Sequence, residues 1–358
     1  MKLQIKTETL KEMVSKAVKG VGDNKLIPIT SLMSIELKDG VMTIITTDGI
    51  NYLYVKDKSV YGEDFYVTVS AEKFAKLVAR TTSDTITLEL MPNGLHFVGN
   101  GSYMLDLPVD EDGSFIKYPD PYASFVGGDG KVVKMATILT ILETVKPSLA
   151  VTLEMPCYTG YYIGEKVVAT DTFKIASMDT KLLDEPVLIS PDTLNLLAIV
   201  DKEEVTVYRQ DNVIIFYTDN CVVYSNVMEG IGDYAIDAIN GLVDTEFKSV
   251  CKISKASILQ VLDRIALFIG AYDKNGIRLT FKEDHLQIES KATTGVETID
   301  YEESENFEHF TCLIDIEMLA SQIKSQATDV VELYYGLHNA VKMKDGNITQ
   351  IIALLEDV

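Results

Sequence analysis

The chain has no tryptophan and only four histidines and four cysteines in 358 residues. None of the histidines is spaced as a metal ligand. Cys157, Cys221, Cys251 and Cys312 lie far apart, form no CxxC pair and have no histidine nearby, so they read as small buried core thiols. No apolar run approaches the ~20 residues a membrane helix needs. The opening MKLQIKTETLKEM lacks the apolar stretch of a signal peptide. These absences predict a soluble intracellular chain with no metal, no cofactor and no membrane partner. Basic residues are also scarce, 32 Lys and Arg against 54 Asp and Glu, for a net charge of −22. That argues against attraction to nucleic acid in bulk, and leaves a local basic surface open.

What is present is a repeat. Residues 69–108 (VSAEKFAKLVARTTSDTITLELMPNGLHFVGNGSYMLDLP) read as a short amphipathic helix, an alternating strand, a Pro92-Asn93-Gly94 turn and two more strands, the last from Tyr103 to Leu107. The same order recurs from Ile189 (SPDTLNLLAIV, EEVTVYR, Asp211-Asn212, VIIFY, VVYSN). It recurs again from Ile314 (DIEMLASQIKS, DVVELYY, His338-Asn339, AVKMK, Gly346, ITQIIALL). The starts are 120 and 125 residues apart, which predicts three copies of one domain. A second helix-and-strands unit precedes each stretch. Periodicity predicts helices over 5–21, with Thr7 as N-cap and Gly20 or Gly22 as stop, over 131–146, closed by Pro147, and over 253–268. A Lys38-Asp39-Gly40 turn between alternating runs marks a hairpin. Residues 110–130 and 238–248 read as linkers. The predicted fold is α+β: domains 1–122, 123–247 and 248–358, each with two helices on antiparallel sheets, about six helices and roughly two dozen strands in all.

Catalytic candidates are few. Asp48 (ITTDG) and Asp171 (VATDT) occupy equivalent places in successive copies and read as turn residues. If they shared a magnesium they would suggest a metal-dependent nuclease. No third acid or lysine recurs with them, so the reading is a protein without catalysis of its own. Gly127-Gly128-Asp129-Gly130 lacks the Lys-Ser/Thr of a P-loop and reads as a linker turn.

Several strings, in this order and spacing, resemble the bacterial DNA polymerase III beta subunit family, the replication sliding clamps. They are Leu26-Ile27-Pro28-Ile29, ATDTFKIA from Ala169 to Ala176, Gly232-Asp233-Tyr234, Gly276-Ile277-Arg278-Leu279 and the tail QIIALLEDV. The resemblance covers the whole chain. It implies a head-to-tail homodimeric ring with helices lining the hole, encircling duplex DNA without reading sequence. Its implied partners are the replicative polymerase, a clamp loader and a second copy of the chain, in the bacterial cytoplasm at the replisome. A third alternative is an acidic scaffold of clamp fold that does not load on DNA.

Phosphate contacts in such a hole would come from cations on the helices and beside them. Lys11, Lys16, Lys19, Lys25, Lys73, Lys76 and Arg80 belong to the first domain. The second supplies fewer, Lys134, Lys146 and Lys202, and the third supplies Lys255, Arg264 and Lys324. The resemblance also implies a hydrophobic cleft between the second and third domains for partner peptides. It falls on Tyr158, Thr170, Thr172, Phe173, Lys174, Ile175, Gly232, Ala353, Leu354 and Leu355. Phe173 stands where the family often has His, Gly232 and Leu354 where it has Pro, and Glu356 where it has a basic residue. A retained cleft with altered specificity is expected. Ring closure is expected between Phe268 and Ile269 on one chain and Lys73, Leu77 and the edge strand with Tyr103, Leu105 and Leu107 on the other. Glu297 and Asp300 would pair with lysines. Joining two edge strands removes two aggregation-prone edges.

Overall fold

The structure, a computed structural model, describes residues 1–270, 275–291, 294–337 and 339–356. His338 of the third repeat's turn and the last two residues of the tail lie outside them. Among the described residues there are seven α-helices: α1 (Thr7–Ala17), α2 (Ala71–Arg80), α3 (Met135–Thr140), α4 (Pro191–Leu197), α5 (Ile236–Val243), α6 (Lys255–Ala266) and α7 (Ile316–Ser325). No described helix is long and apolar enough to cross a membrane. The chain forms two compact units, Met1–Ala136 with Asp192–Val227, and Thr137–Pro191 with Met228–Val358. The second repeat is divided between them.

In the first unit a five-stranded sheet runs in the order Tyr61–Gly62, Lys2–Lys6, Thr85–Met91, Gly94–Val98, Ser102–Leu105. An eight-stranded sheet joins the first repeat to half of the second, because Cys221–Asn226 pairs antiparallel with Asn51–Asp57. α1 buries Leu10, Met13, Val14 and Ala17, and α2 buries Ala71, Phe74 and Val78. The 3.6-residue period puts each set on one side, and each large side chain so buried stabilises the fold by about 1.5–3 kcal/mol.

In the second unit a nine-stranded sheet joins the second repeat to the third. The strand Lys174–Met178 pairs antiparallel with the tail strand Ile348–Ala353. A four-stranded sheet runs in the order Val296–Asp300, His285–Ser290, Gly276–Phe281, Phe310–Asp315. α6 and α7 pack together over the core of Ile258, Leu262, Ile265, Leu319 and Ile323. Asp315 caps α7 by accepting the Met318 N–H at 2.9 Å.

The repeat, the Asp39-Gly40 hairpin and the buried free cysteines agree with the sequence reading; Asp39 and Gly40 have φ of +50° and +76°. Several boundaries differ. Residues 131–134 are not helical but form a strand paired with Glu204–Gln210; helix begins at Met135 and widens to a π-helical turn at Ile141–Val145. Likewise Lys2–Lys6 and Ser249–Ser254 are strands that feed α1 and α6 directly. A short strand with apolar residues that abuts an apolar helix reads as one period. Thr7 is not an N-cap: it is the first residue of α1, and its Oγ1 donates to Ser83 O at 2.5 Å. The third strand of the first repeat ends at Leu105, not Leu107. Within 238–248, read as linker, α5 covers the first six residues. The 110–130 segment carries only a short 3-10 turn, but it is packed, with Tyr118 buried and its hydroxyl donating to Leu32 O.

Candidate functional site

Asp171 organises the turn between strands Val167–Thr170 and Lys174–Met178. Its Oδ1 accepts the N–H groups of Phe173 at 3.0 Å and Lys174 at 2.8 Å. Thr170 Oγ1 donates to Lys174 O at 2.9 Å and accepts from Thr172 N at 3.0 Å. The same four bonds recur in the first repeat. Asp48 Oδ1 accepts from Ile50 N at 2.8 Å and Asn51 N at 2.7 Å, and Thr47 Oγ1 donates to Asn51 O at 2.6 Å and accepts from Gly49 N at 3.0 Å. Both carboxylates are therefore committed to backbone N–H groups of a turn. The copies differ at one strained place. Gly49 has φ of +100°, whereas Thr172 has φ of +78°. A β-branched residue there costs on the order of 1–3 kcal/mol, and such strain concentrates at functional sites.

Around this turn the implied cleft residues gather in two groups. Ile175, opposite Ile351 in the strand pair, is buried with Tyr158 and Tyr234. The Tyr158 and Tyr234 rings meet edge-on at 5.0 Å. Tyr234 follows the 3-10 turn Ile231–Asp233, whose Gly232 faces open space. The tail lies by Phe173: Ala353 N donates to Phe173 O at 2.7 Å. Leu355 N donates to Leu313 O at 2.8 Å, while Leu354 packs against the core of the third repeat. Thr170 is buried. Lys174 folds back, donating to Pro147 O with Asp171 Oδ2 at 3.5 Å. Phe173 stands 59% exposed.

Sequence reading missed the segment that leads into Tyr158. Val151, Leu153 and Met155 are 95%, 78% and 46% exposed. The segment has a twin in the first repeat. Ala150 N donates to Tyr158 O at 3.0 Å as Gly22 N donates to Thr30 O at 3.1 Å, and each loop ends in a Pro-led 3-10 turn, Pro156–Thr159 and Pro28–Ser31. Aligning LIPITS with EMPCYT would have exposed the pair.

Of the candidate channel cations, five have partners within their own chain, Lys146 among them. Lys16 bridges Glu12 at 2.7 Å and Asp201 at 2.6 Å, and Lys76 pairs with Glu72. Lys255 donates to Gln326 O, and Arg264 clasps Glu297 with two bonds of 2.8 and 2.6 Å. That clasp holds the Glu297 carboxyl below the usual range. Among the described residues Lys11, Lys19, Lys25, Lys73, Arg80, Lys134, Lys202 and Lys324 make no ion pair; all but the half-buried Lys11 are exposed. Lys146 is exposed and has a partner within the chain. Acids also sit on the helices, at Glu8, Glu12, Glu72, Asp192, Asp263 and Glu317, so the helical charge is mixed.

All four sheets end in open strands, and two of those edges carry residues expected at ring closure. Ser102–Leu105 is an edge of the five-stranded sheet and exposes Tyr103, while Leu105 is buried and Leu107 half-buried. On α2, Lys73 is exposed and Leu77 half-buried. Val296–Asp300 is an edge of the four-stranded sheet and exposes Asp300. Phe268 is half-exposed against Gly295, where a Cβ would come within 3.0 Å of its ring; Ile269 packs on the core. Among the described residues no three His, Cys, Asp or Glu side chains are grouped to hold a metal.

Comparison with known proteins places this geometry. Residues 1–117 match the family model of the DNA polymerase III beta subunit, N-terminal domain. No curated protein matches the chain by sequence. The whole chain is similar in structure to the DNA polymerase sliding clamp of Bacillus subtilis, at 18% identity, 100% of each chain and a TM-score of 0.87. It is also similar to the beta subunit from DNA polymerase of Streptococcus pyogenes, at 17% identity, 99% of this chain and 100% of that one, with a TM-score of 0.89. The beta subunit of Thermotoga maritima DNA polymerase III aligns over 100% of both chains at 17% identity and a TM-score of 0.82. The fold is that of the bacterial sliding clamps from end to end.

Proposed function

We propose that this chain of sliding-clamp fold is a processivity factor of DNA replication, a protein that acts by topology and carries no catalysis of its own. Three clamp domains, 1–122, 123–247 and 248–358, would be contributed by each of two chains to a head-to-tail ring around duplex DNA. The ring would tether a replicative polymerase at the replisome after a clamp loader has opened it. The observation that carries the reading is the full-length likeness to bacterial clamps, joined to the family match of the first 117 residues.

The physical features are compatible with each step. Edge strands Ser102–Leu105 and Val296–Asp300 each offer unpaired backbone groups, and pairing one chain's edge with the other's would satisfy both. Phe268, Ile269, Lys73 and Leu77 flank that closure. Arg264 would act there through Glu297 rather than on phosphate. The cations free of ion pairs would contact phosphates without reading bases, weakly enough to slide. The surface of Tyr158, Thr170, Thr172, Phe173, Lys174, Ile175, Gly232, Ala353, Leu354 and Leu355 would take the partner peptide.

The test is retention on circular DNA with a loader. A clamp stays on nicked circles and runs off when they are linearised. Replacing Phe268 and Ile269 with aspartate should give monomers that are not retained. Equal retention on linear DNA would sink the reading. DNA cleavage that vanishes in Asp171→Asn would favour a nuclease instead.

A further inference from the structure

We propose that a cavity of the first repeat, roofed by the chain between Leu107 and Ala123, binds a small organic cation with an aromatic body, an arylalkylamine in kind. It shares no residue with the partner cleft and stands or falls apart from the clamp reading.

The cavity measures about 830 Å³, within the range of about 300–1,000 Å³ typical of small-molecule sites. Its floor is one face of the eight-stranded sheet. Ser34 lies opposite Ile45 and Thr68 there, and Glu36 lies opposite Tyr66. Strand alternation thus brings Glu36, Ile45, Tyr66 and Thr68 to the same face, and all four line the cavity. Met33, Ile35 and Leu37 point the other way and are buried. The roof is pinned at three points. The Tyr118 N–H donates to Tyr66 Oη at 2.8 Å, the Tyr118 hydroxyl to Leu32 O at 3.3 Å, and the Tyr54 hydroxyl to Asp120 Oδ1 at 2.9 Å. These bonds fix the walls before any ligand arrives.

The roof is longer than the fold requires. The second repeat passes from the end of its last strand at Asn226 to the turn Ile231–Asp233 through residues 227–230 alone. The first uses residues 106–120 to pass from Leu105 to the turn Pro121–Ser124. The added length folds on itself: Val109 bridges Phe115, the Asp110 N–H donates to Ser114 O at 3.0 Å, and Gly113 takes φ of +83°. What this hairpin supplies is Phe115, a wall of the cavity that is 59% exposed.

The polar groups choose the ligand. Glu36 is half-buried, and among the described residues its carboxylate has no hydrogen bond and no ion pair. A partly desolvated charge without a partner is costly, and a cation bound against it removes that cost. Asp120 adds a second carboxylate to the lining, offset by the exposed Lys117 of the roof. Asp110, Glu111 and Asp112 of the hairpin are exposed beside it and extend the negative field. Tyr66, Tyr118 and Phe115 give aromatic walls, which favour a cation over an anion of the same shape.

The experiment is equilibrium dialysis of the full chain against naphthylmethylamine, with naphthoate as the anionic twin. The amine should bind one to a chain and at least about tenfold tighter than the acid. Glu36→Gln should weaken the amine about tenfold and leave the acid no weaker. Phe115→Ala, at a side chain half out of the fold, should weaken both ligands severalfold with the unfolding transition in place. Glu308→Gln, at an exposed acid of the third repeat, should change neither. No saturable binding of the amine, equal binding of the two, or indifference to both Glu36→Gln and Phe115→Ala overturns the site. An equal loss in Glu308→Gln would mean attraction to net charge alone and overturns it too. If Glu36→Gln disturbs folding, Phe115→Ala decides.

Discussion

The turns at Thr47–Asn51 and Thr170–Lys174 are the same object built twice. Each has a threonine hydroxyl and an aspartate carboxylate holding the same four backbone partners. What they share is what the fold requires. Where they part is informative: Gly49 against Thr172 at positive φ, and, in the nearby loops, Asp23 and Lys25 against Val151 and Leu153. The first copy uses the residue with least strain and puts charge at two loop positions, although its Leu26 is 91% exposed. The second departs from both on the surface that carries the implied cleft. A duplicated domain thus separates structural from functional residues without any other sequence to compare.

The strongest way to break that equivalence is to remove the shared part. Asp48→Ala and Asp171→Ala each orphan two backbone N–H groups, and each should lower stability by about 2–3 kcal/mol. Denaturant unfolding of the two variants should give like losses; a loss confined to one copy would mean the turns are not equivalent. The next effect has opposite signs in the two copies. Gly49→Thr forces a β-branched residue to φ of +100° and should cost about 1–3 kcal/mol. Thr172→Gly relieves strain and should gain about 1 kcal/mol or less, offset by the greater freedom of glycine in the unfolded chain. A Thr172→Gly variant that is more stable but binds partner peptide less well would place the strain in function.

Sequence alone carried the repeat, the hairpin at Asp39-Gly40 and the helices with clean stripes, because these rest on local periodicity. It lost the strand Lys131–Lys134, whose KVVK run fits a helical period continuing into α3, and it lost α5, where Gly241 with Asp237 and Asn240 masks the stripe. At the candidate site, Ile175, Tyr158 and Gly232 were expected only through resemblance; the pairing of Ile175 with a tail more than 150 residues away leaves no local mark. The Arg264–Glu297 clasp was illegible for the same reason: 33 residues separate its partners. Val151 and Leu153 escaped because three alternating apolar residues in a loop look like the start of a strand, and only exposure tells the two apart.

The smallest expected effect sharpens the comparison most. Grafting the first loop onto the second, Val151→Asp with Leu153→Lys, removes two side chains that touch little, so stability should stay within about 0.5 kcal/mol. The reverse graft, Asp23→Val with Lys25→Leu, should be equally neutral to thermal unfolding, for both loops hang from the same backbone bonds. It should also leave peptide affinity unchanged, because the first copy offers Ile50 where the second has Phe173. If either graft shifted stability by more than about 1 kcal/mol, the residues would be structural after all, and the apolar character of 151–155 would need a folding explanation. Neutrality in both directions would show that the fold tolerates either set of residues at these places, as it tolerates Leu26 at 91% exposure in the first loop.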